Sequence, residues 1–551
     1  MDWDLSPDLP PEALEFVLVA VDAFLDLLKE RGAGALVIGR DSRPTGALLL
    51  ALAARLLRAR GIEVRCADLA PVPQVMAACR LSEAGGFLYF TASHNPPGHN
   101  GLKLGLADGA VLEGTLARRL IETVKREYLE GRRAALLWSE IRTSPREPSG
   151  EKTGEFRERA RRLYESFAFE ALAGANAASL RNRLNDFFAP RAPAIVMDMN
   201  GSSRLLGPDL DLLRGIGLRV ELLGGEPGIF EHAIVPEGAS LEPCRRRMQE
   251  LLDRGEPVLL GLVPDCDGDR GNLILPVGGK ARPLAAKETF LLACLAEVSA
   301  RREAGFAGLL AVAANDATSL RADRLLAPFA ARVFRAETGE GSVLAKAREL
   351  REQGWLVPLS GEGSNGGNIL HPSSVRDPLM TLLSLLRWLA AGTAARFLAQ
   401  RGRCPSREHE LEEALALLPA GRTTDAFEPE ALLPLPRIEH EVLKTRYERD
   451  LRAHFENERG FWLAAGIAAL RFVNYEGPRA VPGPGNRTPP GRGGLGIELL
   501  DASENARGFL WMRGSGTEPV FRLMADWDGT DATYAALLKL HRELIERAAR
   551  G

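Results

Sequence analysis

Four short segments hold residues whose types and spacing could do chemistry. The first is Thr91-Ala92-Ser93-His94-Asn95-Pro96-Pro97-Gly98, directly after the apolar run Gly86–Phe90. Asn-Pro and Pro-Gly favour a tight turn, which can lift one hydroxyl clear of the backbone. Serine is a weak nucleophile until a base or a cation assists it, and Lys103 lies ten residues on. Alone, the segment reads equally as a surface turn with an incidental serine. The second is Asp265-Cys266-Asp267-Gly268-Asp269-Arg270, with three carboxylates at alternate positions. Hard oxygen ligands at that density suit Mg²⁺ or Ca²⁺, and without a cation they repel one another. An EF-hand is excluded, because its Gly at position 6 and Glu at position 12 are here Arg270 and Pro276. Arg270 is placed to reach a phosphoryl oxygen beside the metal.

The third segment, Gly361-Glu362-Gly363-Ser364-Asn365-Gly366-Gly367, sets a carboxylate and a hydroxyl on a glycine-rich loop. Such a pair can grip vicinal sugar hydroxyls, although a merely flexible loop fits the same composition. The fourth runs from Arg513 through Ser515, Gly516 and Thr517 to Pro519, with Arg522 just after. Glycine-freed N–H groups, two hydroxyls and arginine make an anion nest, with a plain turn as the alternative. Neither a GxxxxGK[ST] phosphate loop nor a dinucleotide fingerprint following a strand occurs in the chain. Gly39-Arg40-Asp41-Ser42-Arg43 is a further basic element, where Arg40 and Arg43 either face phosphoryl charge or pair with Asp41.

These loops need elements to hold them. Short apolar runs alternate with helical stretches: Ala35–Ile38, a helix over 47–60, Ile62–Leu69 and Gly86–Phe90. The pattern restarts at Ala194–Met197 with Val258–Val263 and Asn272–Val277, and again at Leu309–Ala313 with Arg332–Ala336 and Trp355–Leu359. Strands alternating with helices predict wound, mostly parallel sheets, whose ligands gather at the carboxyl ends of the strands. The last portion differs: Gly496–Leu500, Phe509–Met512 and Phe521–Trp527 read as paired strands before a closing helix. The expected fold class is α/β, with three similar mixed α/β domains plus a smaller α+β C-terminal domain around a central cleft. The expected divisions are 1–190, 191–303, 304–425 and 426–551. Residues 402–436 read as an acidic, proline-bearing linker, the charged run 125–162 as solvated helix and loop, and the stretch from Gly477 as an exposed loop.

Composition narrows the function. A length of 551 residues calls for several cores. The formal net charge of −3 argues against a nucleic-acid binder and leaves small anionic substrates open. Six scattered cysteines form no CxxC pair, so neither a zinc knuckle nor a dithiol site is expected. The N-terminus lacks the basic and apolar regions of a signal peptide, and no apolar run reaches membrane-spanning length. The expectation is a cytoplasmic protein with no membrane partner.

Taken in order, TASHNP with NGLK, DCDGDR, GEGS and SGTEP resemble the loops of the α-D-phosphohexomutase superfamily, which includes phosphoglucomutase and phosphomannomutase. The resemblance spans most of the chain, from GRDSR to RGSGTEP. It implies that a phosphoserine at Ser93 passes its phosphoryl group to a sugar monophosphate and recovers the other phosphoryl from the bisphosphate so formed. It implies one Mg²⁺ per site, held by Asp265, Asp267, Asp269 and the phosphoserine, with Lys103 handling a proton. Arg43, His94 and Arg270 would surround the reaction, Glu362 and Ser364 would take sugar hydroxyls, and Arg513, Ser515, Gly516, Thr517 and Arg522 would hold the other phosphate. A hexose 1,6-bisphosphate would serve as activator and intermediate, glucose or mannose phosphates as substrates, and the protein as a monomer or homodimer. Departures are visible. Cys266 replaces a glycine of the metal loop, Asn365-Gly366 stand where Gly-His is common, and Gly514 where proline is frequent. Residues 132–176 look inserted. No FGTxGIRG-like opening loop occurs in Met1–Pro11, so the expected alternative is a sugar-phosphate-binding protein with a partly decayed site. A metal phosphatase ranks last, because the eight histidines form no cluster with spaced acids.

Overall fold

The computed structural model describes residues 9–32, 34–112, 114–143, 153–364, 366–426, 428–435, 438–485, 491, 493–514 and 520–550. The chain forms two compact units. The first comprises Met1–Pro283, Ile369–Gly392 and Ser406–His409; the second comprises Leu284–Asn368, Thr393–Pro405 and Glu410–Gly551.

Unit 1 holds two sheets. The first contains β1 (Ala35–Arg40), β2 (Glu63–Leu69), β3 (Gly86–Phe90) and β4 (Leu102–Leu106) in the order β2-β1-β3-β4. The first three strands run parallel and β4 closes the edge antiparallel. Leu36, Val37 and Ile38 are fully buried, as expected of a central strand covered on both faces. Gly105 of β4 cannot be another residue, because a Cβ there would lie 1.9 Å from the Phe87 ring. The second sheet contains β5 (Ala194–Asp198), β6 (Arg219–Leu223), β7 (Val258–Pro264), β8 (Gly271–Val277) and β9 (Lys280–Pro283) in the order β6-β5-β7-β8-β9.

Unit 2 repeats the theme. Strands β10 (Leu310–Asn315), β11 (Ala331–Ala336), β12 (Leu356–Glu362) and β13 (Gly367–Leu370) take the order β11-β10-β12-β13, with the unit boundary falling inside β13. Each of these three sheets places its second strand outside its first and its third strand on the other side. The three similar α/β patterns in the sequence are therefore three copies of one topology. The fourth sheet is different. It is antiparallel and built from β14 (Arg422–Thr423), β15 (Leu432–Pro434), β16 (Ala469–Glu476), β17 (Arg479–Pro482), β18 (Gly494–Leu500), β19 (Ala506–Gly514) and β20 (Val520–Trp527). The helix Asp531–Arg550 packs on it through Leu537, Leu544 and Ile545.

One segment lay outside the patterns read from the sequence, and two others depart from expectation. Pro11–Lys29 is a helix whose Leu14, Leu18, Val21, Phe24, Leu25 and Leu28 enter the first core. Its buried Asp22 pairs with Arg60 and Arg133. The charged run is not merely solvated: Arg132–Thr143 and Thr153–Ala173 are helices that bury Leu137, Ile141, Phe156, Ala160 and Tyr164. Apolar residues at helical spacing there were outnumbered by charges on the outer face. Residues 402–436 are not an open linker, since Glu410–Ala416 is a helix and both β14 and β15 pair with β20. Among the described residues no single helix is long and apolar enough to cross a membrane.

A buried charge network joins distant parts of unit 1. The Arg204 guanidinium, with no side-chain exposure, reaches Asp209 at 2.6 Å and Asp377 at 2.7 Å. Tyr164 donates to the other Asp377 oxygen at 2.7 Å, and Asp377 also caps the helix Pro378–Ala390 by accepting from Leu379 and Met380 N–H groups. Replacing Arg204 by Met strands two buried carboxylates and is expected to cost about 3–5 kcal/mol of unfolding free energy. Urea unfolding followed by circular dichroism checks this; a shift within error of wild type contradicts it.

Candidate active site

Three of the four chemical loops follow the carboxyl ends of parallel strands: Ser93 after β3, the aspartates after β7 and Ser364 after β12. Unit 1 brings Ser93, His94, Lys103, Arg43, the three aspartates and Arg270 together. Unit 2 carries Glu362, Ser364, Arg513 and Arg522. Ser515, Gly516 and Thr517 lie outside the described residues.

Ser93 adopts φ +53°, a left-handed conformation that costs a non-glycine residue of order 1 kcal/mol or more. The turn survives because neighbours over-determine it. Arg43, with no side-chain exposure, spends all five N–H donors on protein. Its Nε donates to Asp41 at 3.0 Å, Nη1 to the carbonyls of Pro96 and His99, and Nη2 to those of Ser93 and Asn95 at 2.6 Å each. Of the two roles open to Arg43 in the sequence, the geometry matches the structural one: it ties the serine turn down. The Ser93 N–H donates to Thr91 Oγ1 at 2.8 Å, and Thr91 Oγ1 donates to Asp267 Oδ2 at 3.1 Å. Thr91 thus links the serine turn to the metal loop, a role its place two residues before Ser93 did not reveal. His94 Nδ1 lies 3.4 Å from Ser93 Oγ and 3.1 Å from Arg270 Nη1. Arginine only donates, so Nδ1 is the acceptor and the ring proton belongs on Nε2.

The metal loop is fixed backbone-first. Ser202 Oγ donates to the Asp265 carbonyl, Ser203 Oγ to that of Cys266, and Arg204 Nε to that of Gly268 at 2.8 Å. Gly268 has φ +71°, and a Cβ there would sit 2.6 Å from Arg204 Cγ, so only glycine fits. Asp265 Oδ1 accepts the Asp269 and Arg270 N–H groups. Lys103 Nζ bridges Asp267 Oδ2 at 2.7 Å and Asp269 Oδ2 at 2.6 Å, and Arg376 Nη2 reaches Asp269 Oδ2 at 2.7 Å. Arg376 stands in no recognisable motif, and its part could not be read from the sequence.

What those bonds leave over is informative. Asp265 Oδ2, Asp267 Oδ1 and Asp269 Oδ1 are buried and have no hydrogen-bond partner. The three carboxylates offer one oxygen each within 4.8 Å of one another. Burial and the Asp267 and Asp269 charges push the Asp265 carboxyl well above the usual range. Burial raises Asp269 too, but Arg376, Lys103 and Arg270 more than offset it and hold it below the usual range. Three convergent, all-oxygen, unsatisfied acceptors are the donor set of a hard divalent cation such as Mg²⁺, so the residues present fit that ion.

In unit 2 Ser364 accepts from Asn315 Nδ2 at 2.7 Å, and Glu362 is 2 % exposed. Asn315 also reaches Thr338 Oγ1, which donates to Asp316 Oδ1 at 2.6 Å. Arg513 on β19 contacts Glu337 at 3.1 Å, and Arg522 on β20 donates to the Ala426 carbonyl at 2.8 Å. Asn315, Asp316, Glu337 and Thr338 are polar residues at the ends of β10 and β11 that the sequence patterns did not single out. Burial pushes the Asp316 carboxyl up to about 6 despite the hydrogen bond from Thr338 and the nearby Arg513 charge.

Residues 12–130 match the family model described as phosphoglucomutase/phosphomannomutase, α/β/α domain I. A phosphoglucomutase/phosphomannomutase of Thermococcus kodakarensis is 29% identical over 382 residues, which is 68% of this chain and 73% of that protein. A phosphoglucosamine mutase of a Synechococcus strain is 29% identical over 250 residues, so the match covers 45% of this chain and about half, 46%, of that relative. A phosphoglucomutase/phosphomannomutase family protein from Burkholderia thailandensis has the same fold, with TM-score 0.65 at 19% identity over 99% of this chain and 96% of that one. The open form of parafusin, a phosphoglucomutase from Paramecium, superposes with TM-score 0.65 at 15% identity over 98% of this chain and 93% of that one.

Two outcomes follow. Asp267→Asn is expected to weaken Mg²⁺ binding by about tenfold or more, as losing even an outer partner of a metal ligand does; calorimetric titration giving wild-type affinity contradicts the assignment. The Asp316 pKa rises from 3.8 to about 6 on folding, so its proton stabilises the folded chain fully below pH 3.8. That stability, of order 3 kcal/mol, is lost as pH climbs from about 4 to 6. Asp316→Asn should remove this slope, which unfolding curves at pH 4, 5, 6 and 7 measure.

Proposed function

We propose that this chain, a member of the α-D-phosphohexomutase superfamily, interconverts 1- and 6-phosphates of a hexose through a phosphoserine at Ser93. The observation that carries the reading is the convergence of three unsatisfied buried carboxylate oxygens in the unit that also holds Ser93 in a strained turn. The names of its relatives support a hexose or hexosamine phosphate as substrate, with glucose and mannose phosphates the first choice.

Each residue has a physical task. Asp265, Asp267 and Asp269 would hold Mg²⁺, which when bound neutralises phosphoryl oxygens and lowers the barrier to transfer. Arg43 and Thr91 keep the serine turn rigid, so that little reorganisation precedes transfer. Lys103 sits between Asp267 and Asp269, where its ammonium can give a proton to a departing oxygen and its neutral amine can take one from a sugar hydroxyl. Arg270, with its Nη1 on His94, supplies positive charge beside Ser93. Glu362 and Ser364 accept and donate hydrogen bonds to sugar hydroxyls, and Arg513 takes the phosphate that is not reacting. In the balanced cycle the Ser93 phosphoryl goes to the free hydroxyl of the monophosphate. The bisphosphate turns over and its other phosphoryl returns to Ser93, leaving the isomeric monophosphate.

The test is direct. Glucose, mannose and glucosamine phosphates are assayed with Mg²⁺ and the matching bisphosphate, and intact mass is read after exposure to the bisphosphate alone. The wild type should gain one phosphoryl mass and turn over at least one of the sugars. Ser93→Ala should gain none, with turnover at background. Sugar-phosphate binding without turnover or phosphorylation would instead identify a binding protein.

A further inference from the structure

Glu337 belongs to no motif, yet it makes the most direct contact with the arginine expected to hold phosphate. Its Oε1 accepts from both Nε and Nη2 of Arg513, at 3.2 and 3.1 Å. Its Oε2 accepts the Gly477 N–H at 2.8 Å, and its own N–H donates to the Gly477 carbonyl at 2.9 Å. Glu337 follows the end of β11, Arg513 lies on β19, and Gly477 is in the turn between β16 and β17. One carboxylate therefore clasps two elements of the antiparallel sheet from the end of a parallel strand, all within unit 2.

The clasp has an electrostatic consequence. A guanidinium has five N–H donors. Two go to Glu337, and among the described residues no acceptor is seen on the other three, which can turn to another anion. That anion must share the cation with a carboxylate already in contact, and the two negative groups repel across it. The side chains are only partly exposed, 25% for Arg513 and 16% for Glu337, so solvent screens this repulsion incompletely. Asp316 lies close enough for the Arg513 and Glu337 charges to act on it, and Thr338 occupies its Oδ1. The neighbourhood of Arg513 is thus acidic on the side of the third sheet.

We infer that Glu337 is an affinity-setting residue that weakens the grip of Arg513 on phosphate. The inference rests on the reading of Arg513 as a phosphate ligand. It gives that reading a purpose. A cradle that must accept one phosphate, release it and accept the other end of the same bisphosphate is slowed by very tight binding. A fixed carboxylate against the arginine keeps the grip moderate while aiming the fork.

The experiment is a calorimetric titration of the full chain with inorganic phosphate at constant pH and salt. Glu337→Gln should tighten the dissociation constant about fivefold to tenfold, the size of a like-charge contact at partial exposure. Glu337→Asp keeps the charge and should remain near wild type. Arg513→Met should weaken binding. Melting curves show that each variant is folded. If Arg513→Met weakens binding but Glu337→Gln is no tighter than wild type, Glu337 does not tune the cradle. If Glu337→Asp tightens as much as Glu337→Gln, the lost contact and not the charge is responsible, and the inference is overturned. If Arg513→Met leaves phosphate binding unchanged, the phosphate reading of Arg513 fails first.

Discussion

Three carboxylates buried within 4.8 Å of one another cannot stand without cations, and much of unit 1 is arranged around that constraint. Lys103 from β4, Arg270 from the loop itself and Arg376 from the segment Ile369–Gly392 all point their charges at Asp267 or Asp269. Arg204 holds the loop backbone from beneath while paired to Asp209 and Asp377. The adjacent residues Arg376 and Asp377 thus serve two layers, one on the carboxylates and one on their support. Even so, one oxygen of each aspartate is left without a hydrogen-bond partner, which is the donor set that a hard divalent cation fits.

The serine turn depends on the same arrangement. Thr91 is a hydrogen-bond donor to Asp267 and an acceptor from the Ser93 N–H, so the strained φ of Ser93 is stabilised by the metal loop as well as by Arg43. Strain at Ser93 and charge crowding at the aspartates are two unfavourable terms that share one set of compensating contacts. Folding places both at the carboxyl ends of parallel strands, and the same topology, repeated, sets the Glu362–Ser364 loop at the end of β12.

The chemistry-bearing loops were legible in the sequence because turn residues and apolar strands bracket them. Ser93, the DCDGDR acids and GEGS all sit where a strand pattern ends, and the three-fold recurrence of that pattern appears as three sheets of one topology. What escaped was of two kinds. Arg376, Arg204 and Glu337 act through contacts with residues more than one hundred positions away, which no local pattern encodes. The packing of the helices at 132–173 and the elements of 402–436 were hidden because charged and proline residues dominate their composition, although a few apolar residues at the right spacing suffice to dock them. Arg43 was ambiguous for a third reason: its charge suggested phosphate, but whether five donors face a ligand or five backbone and side-chain acceptors is decided only in three dimensions.

The central claim is that the aspartate loop and Ser93 serve one phosphoryl group. Phosphorus-31 NMR of the full chain treated with hexose bisphosphate, titrated with substoichiometric Mn²⁺, tests it most directly. The account predicts a single phosphoserine resonance that is present in wild type, absent in Ser93→Ala, and broadened by Mn²⁺ in wild type but much less in Asp267→Asn. A phosphoserine resonance that Mn²⁺ leaves sharp, or one that survives in Ser93→Ala, would contradict it.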